Sequence, residues 1–156
     1  VVADASAVDT ALIAWLAADA TLAALLPGGV HFGLAPQGVT AFALVTVDET
    51  VDVAVFAAAP AARRAIEVIT YAVQAVLPTA AMGPATQAAA RIDALLEDQP
   101  LTIPGYSWLS TVRVERLRPA GEPDAVDKNI RWQHAGGRYR IQVAPTPTVQ
   151  GKEPRS

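Results

Sequence analysis

The chain is 156 residues long, the size of one domain. Its formal charge of −3 excludes a broad electrostatic attraction to nucleic acid or to an anionic membrane. It contains no cysteine, which excludes a disulfide framework, a thiolate metal site and a cysteine nucleophile.

Hydrophobic residues make up 52% of the chain, but 33 residues are alanines, which bury little area. The larger apolar side chains still suffice for one core. Ala20 to Val47 and Val68 to Ala90 lack any Asp, Glu, Lys or Arg, yet neither reads as a membrane span. Pro27-Gly28-Gly29 and Pro36-Gln37-Gly38 interrupt the first, and Gln74, Pro78, Gly83, Pro84 and Gln87 the second. Val1 to Ala7 has no basic residue, so no signal peptide is expected and cytosolic synthesis is the default.

Ser6 opens the first helical signal, with Asp9 completing a short-armed capping box. Val8, Leu12, Trp15 and Leu16 recur at helical spacing, which places Trp15 in the expected core. Asp19 is expected to cap a second short helix through Leu26, stopped by Pro27-Gly28-Gly29. Val30 to Leu34 reads as a short strand, and Val39 to Val47 as a strand buried on both faces. Val51 to Ala62 stays open between a hairpin and a loop, because an alanine run broken by Pro60 follows Val53-Ala54-Val55-Phe56. Arg63 to Leu77 reads as a strand from its density of β-branched residues.

Pro84 suits the first turn of a helix. Ala85, Ala88, Ala89, Ile92, Leu95 and Leu96 then share one face, Gln87, Arg91, Glu97 and Asp98 the other, and Pro100 closes the helix. Tyr106 to Leu117 alternates as a strand. Trp108, Ser110, Val112 and Val114 are expected on one face, and Leu109, Thr111, Arg113 and Glu115 on the other. Arg118 to Asp124 reads as a polar loop. Asn129 to His134 and Arg138 to Val143 are expected to form a hairpin across Ala135-Gly136-Gly137. From Ala144 onward, Pro, Thr and charge predict a disordered tail. The order α, β, β, β, α, β, β implies an α+β fold, a largely antiparallel sheet with two main helices packed on one face. The expected organisation is a single domain over residues 1–144 and a flexible tail over 145–156.

Charge is divided unevenly. Residues 1–62 carry six acids and no Lys or Arg, whereas residues 63–156 carry twelve bases and nine acids, giving −6 and +3. This can balance within one subunit, or set an acidic edge of one copy against a basic edge of the next.

The sequence contains no phosphate loop, nucleophile elbow, H-E-x-x-H or dinucleotide fingerprint. His31 and His134 match no metal-ligand spacing, and no catalytic residue, metal or cofactor is expected. Asp48, Glu49 and Asp52 form an acidic cluster lacking the Gly and terminal Glu of a calcium loop. It reads as a solvated strand end or, in a ring, a lumen-facing group. Arg113, Arg116, Arg118, Arg131, Arg138 and Arg140 crowd the last strands among interspersed acids, as at an exposed sheet face or a subunit interface. Trp108 and Trp132 are candidate anchors there, since Trp and Arg dominate interface hot spots. The interface candidates are therefore Asp48, Glu49, Asp52, Trp108, Arg113, Arg116, Arg131 and Trp132.

The opening Ala11-Leu12-Ile13-Ala14-Trp15-Leu16-Ala17-Ala18-Asp19-Ala20-Thr21-Leu22-Ala23-Ala24-Leu25-Leu26 resembles the start of the tail terminator, or tail-completion, proteins of long-tailed bacteriophages. The likeness continues through Pro27-Gly28-Gly29-Val30-His31-Phe32 and Ala35-Pro36. It closes on Arg131-Trp132-Gln133-His134-Ala135-Gly136-Gly137-Arg138-Tyr139-Arg140-Ile141-Gln142-Val143, similar to the family's final His-containing hairpin and strand. One departure is Thr40-Ala41-Phe42, where the family usually has a Pro-aromatic pair, which leaves the start of that strand open.

The resemblance implies a structural virion protein at the tail–neck junction, assembled in the host cytoplasm. Its implied partners are further copies of itself in a hexameric ring, the major tail tube protein and the head–tail connector. The ring would cap the head-proximal end of the tube and stop its polymerisation. It would also offer a head-joining surface and a lumen through which DNA passes without specific binding. No membrane and no cofactor are implied. Another neck or head–tail connector protein is the alternative within the virion. A small α+β enzyme or ligand-binding domain is the alternative of another class, and a buried pocket holding His31, Arg64 or His134 beside a carboxylate would favour it.

Overall fold

Val8, Leu12 and Leu16 are spaced four residues apart, and helix α1 (Ser6–Ala17) buries all three. The computed structural model describes residues 4–55 and 63–146. The expected Ser6–Asp9 box does not close this helix. Asp4, two residues before Ser6, accepts from the Ser6 amide at 3.1 Å and from its hydroxyl at 2.8 Å. Asp9 is left to accept from the buried Tyr71 hydroxyl. Asp19 does cap helix α2 (Ala20–Leu25), accepting from the Leu22 amide at 2.7 Å. Trp15 is 39% exposed and lies outside the core. Its indole N–H needs an acceptor and donates to the Leu95 carbonyl at 2.7 Å.

Strand β1 (Val30–Phe32) runs parallel to β2 (Phe42–Val55), and β2 pairs antiparallel with β3 (Arg63–Pro78). Helix α3 (Gly83–Leu96) follows, with Pro84 in its first turn. Then β4 (Tyr106–Pro123) pairs antiparallel with β5 (Arg131–Pro145), and β5 inserts beside β3. The sheet order is β1-β2-β3-β5-β4, so β4 is an edge strand and β2 is open beyond the three residues that β1 covers. The fold is α+β, as expected, with three helices on one sheet face. Leu12, Leu16, Leu22, Ile92 and Leu96 pack there with Val45, Tyr71, Val73, Ala75, Tyr139, Ile141 and Val143 in one core. Burying each large apolar side chain contributes roughly 1.5–3 kcal/mol, an upper figure because unfolded chains already hide some surface.

The strands are longer and less regular than expected. β2 begins at Phe42, just after Ala41 takes a left-handed φ of 50°, and continues to Val55. On the helix side Ala43 and Val45 are fully buried, while on its other side Phe42 is buried and Leu44 and Thr46 are half-buried. The open segment Val51 to Ala62 is thus strand over 51–55, and the remainder lies outside the described residues. Arg118 to Pro123 continues β4 and is not a loop. β5 passes unbroken through Ala135-Gly136-Gly137, and the turn falls at 124–130. There Asp124 accepts from the Val126 and Asp127 amides, each at 2.9 Å, and from the Trp132 indole at 2.8 Å. These bonds, the Asp127 amide foremost, hold its carboxyl below the usual range. The glycines serve close approach instead of a turn. A Cβ on Gly136 would stand 2.0 Å from the Val73 carbonyl oxygen, and one on Gly137 3.0 Å from that of Glu115.

The alternation expected for Tyr106 to Leu117 also fails. Register shifts fall between Trp108 and Ser110 and between Arg113 and Glu115, so Leu109 and Val114 are extra residues in bulges. Each bulge exchanges the faces. Trp108, Thr111, Arg113 and Arg116 therefore share the helix-bearing side, opposite Val143, Ile141, Tyr139 and Gly137. Val112 and Val114, expected beside Trp108, are exposed. Ala144 and Pro145, read as the start of the tail, end β5, and residues 147–156 lie outside the described ones.

Candidate interaction surface

The two open sheet edges carry different chemistry. At the first, a bulge in β2 throws out Asp48, and Arg138 of β5 reaches across β3 to meet it, Nε to Oδ2, at 2.7 Å. The same guanidinium donates to Glu115 of β4. Glu115 first, then Asp48, raises the pKa of Arg138 and fixes its charge. The face opposite the helices is thereby tied together by one cation between two acids.

Beyond Asp48, Glu49, Val51 and Val53 stand opposite Thr70, Val68 and Ile66. They alternate with residues facing buried Ile69 and Glu67, so they form one stripe on the helix-free face. Val51 and Val53 are each 43% exposed. Glu49 has no hydrogen-bond or ion-pair partner among the described residues. Asp52 belongs to the opposite face, in register with Glu67, which accepts from the Tyr106 hydroxyl at 2.8 Å.

At the second edge, Arg113 pairs with Asp93 of α3 at 2.7 Å, and the buried Tyr139 hydroxyl donates to the same carboxylate at 3.1 Å. Burial first, then the Asp93 charge, pushes the Tyr139 hydroxyl pKa up and keeps it a neutral donor. The edge backbone is partly covered. The Arg113 amide donates to Glu97 Oε2 at 2.7 Å, and the Asp98 amide to the Thr111 carbonyl at 3.0 Å. Between α3 and the β4–β5 hairpin lies a cavity of about 230 Å³. Thr86, Ala89, Ala90, Leu117 and Pro119 give it a largely apolar lining, and Arg116 stands at it with no partner among the described residues.

The remaining candidates lie outside these two clusters. Trp108 is half-buried and donates to Thr111 Oγ1 at 2.9 Å. Trp132 packs on Phe42 with ring centres 6.4 Å apart, in the floor of an open hollow with Leu44, Val76 and His134. Arg131 is exposed opposite Pro123 at the hairpin tip. His134 lies 4.0 Å from the well-exposed Glu122, and His31 bonds the Gly28 carbonyl at 2.7 Å, so neither forms a buried pair with a carboxylate. Among the described residues no three His, Asp or Glu side chains gather to hold a metal. Among the described residues no helix is long and apolar enough to cross a membrane.

The structure thus brings Asp48 and Glu49 to one edge and Arg113 and Arg116 to the other. Sequence reasoning missed the share taken by α3. Ala89 and Ala90 line the cavity, and Asp93 occupies Arg113 but leaves Arg116 without a partner among the described residues. The two acids and one base of the opposite face could not be paired from the sequence either, because Asp48, Glu115 and Arg138 lie far apart along it.

An α+β sheet covered by helices on one face only, with charge divided between its edges, defines the class of domain. The chain matches the family described as "Tail completion protein gp17" over residues 10–143, and it belongs to that family. It is a structural protein of the phage tail. A chain in the solved structure "Virion of native gene transfer agent (GTA) particle" shares the fold, with a TM-score of 0.60 at 21% identity. That likeness covers 91% of this chain and 99% of the other. A second solved chain matches with a TM-score of 0.55 at 14% identity, covering 93% of this chain and 99% of its own. No curated protein sequence matches the chain.

Proposed function

We propose that this protein is a tail terminator, and that six copies form a ring on the head-proximal end of the tail tube. The ring halts tube polymerisation, presents the joining surface for the head connector and leaves a lumen for DNA. It is assembled in the host cytoplasm and transforms no substrate. The observation that carries this reading is membership of the tail completion family across residues 10–143. The two unlike sheet edges support it, because a ring requires heterologous, head-to-tail contacts. The overall acidity supports an unretained DNA cargo, since like charge repels phosphate.

Disrupting the gene and imaging the particles tests the reading. Abnormally long tails, with wild-type particles showing a sixfold ring at the neck, are expected. Tails of normal length that fail to join heads would instead mark a connector and overturn the terminator assignment.

A further inference from the structure

We propose that successive copies in this ring are joined by the Glu49–Val51–Val53 stripe of one subunit seated on the cavity between α3 and β4 of the next, with Glu49 facing Arg116. The inference rests on the ring reading above and names its subunit contact.

Four observations carry it. The stripe is an acid without a partner among the described residues, followed by two exposed valines on a sheet edge that no described strand covers. The cavity is its chemical complement, an apolar lining beside a cation that also has no partner among the described residues. Its other guanidinium is already engaged, because Asp93 holds Arg113, so the incoming acid is directed to Arg116. Finally, the surfaces lie on opposite edges and opposite faces of the same sheet, and cannot satisfy each other within one subunit.

That last relation sets the form of the contact. The helix-free face of one copy laps over the helix-bearing face of its neighbour, as shingles do. Through the ladder, Glu49 is level with Arg140 and Arg116 with Gly137, three residues earlier in β5. Lapped copies are thus offset by about 10 Å along the strands. A heterologous, repeated contact of this kind closes into a ring when its rotation allows.

The chain has no native cysteine, so disulfide trapping has no background. A Glu49→Cys, Arg116→Cys double variant is oxidised without denaturant and resolved on a non-reducing gel, while the wild type is weighed by native mass spectrometry. The expected result is a covalent ladder ending at six subunits, with either single variant giving no species above a dimer. Glu49→Arg and Arg116→Glu should each cut ring formation tenfold or more, and the double exchange should restore it. Circular dichroism confirms that these surface variants fold. Wild-type hexamers with no ladder and unaffected charge variants would overturn this contact and leave the ring standing. Wild-type monomers at the highest soluble concentration, with no ladder, would overturn the spontaneous ring and this contact together.

Discussion

Arg91 of α3 donates through Nε to Asp19 Oδ1 at 3.0 Å, on the same oxygen that accepts from the Leu22 amide. A residue capping one helix is thus held in place by another helix, 72 positions later. The Arg91 hydrogen bond first, and the Leu22 amide second, bring the Asp19 pKa down to about 2. A depressed carboxylate contributes stability above its unfolded value near 3.8 and loses it as pH falls toward 2. Urea unfolding of wild type and Arg91→Met should therefore differ at pH 6, and the gap should narrow progressively between about pH 4 and pH 2. A gap that stays constant across that range would refute the coupling.

Alanine at Gly136 should be severely destabilising, because its Cβ would sit 2.0 Å from the Val73 carbonyl oxygen inside the central ladder. The expected loss exceeds about 3 kcal/mol, or the variant fails to fold. The same change at Gly83, in the first turn of α3, meets no atom within 4 Å outside the adjoining residues, and should shift stability by less than about 0.5 kcal/mol. Thermal denaturation of the pair reads a large loss against a small change.

Tyr71→Phe should cost about 1–3 kcal/mol, since it removes a hydrogen bond to the Asp9 carboxylate at the junction of α1 and the sheet. The loss should show mainly in α1, as faster amide exchange at Leu12 and Leu16. Unchanged exchange there would mean that α1 is held by packing alone.

Arg138→Met leaves Asp48 and Glu115 on one face with no cation between them. The variant should be less stable than wild type at low ionic strength, and added salt should reduce the difference by screening the two acids. A difference insensitive to salt would show that the aliphatic stem, and not the charge, matters.

Legibility followed the range of the physics involved. The helix from Pro84 could be read because Ala85, Ala88, Ile92 and Leu96 keep one period, and all four are buried. The strand from Arg63 was clear from local β-branched density, and Asp19 was clear as a cap because capping is local. The faces of β4 were not, because a bulge leaves no mark in composition, and both frames around Leu109 and Val114 place apolar residues on each side. Gly136-Gly137 read as a turn because glycine signals turns and close contacts alike, and only the neighbouring strands distinguish them. The acidic and basic candidates were legible as clusters along the chain. Which of them remain unsatisfied was not, because Asp93 and Arg138 settle that across distances the sequence does not encode.

The two long hairpins also bear on how the molecule withstands force. The β3–β5 ladder joins them over twelve registered pairs, from Glu67 and Val143 to Pro78 and Trp132. Tension applied parallel to these strands loads the backbone bonds together in shear, so none can peel ahead of its neighbours. Force directed along these strands would be resisted in the direction where a hydrogen-bonded ribbon is stiffest.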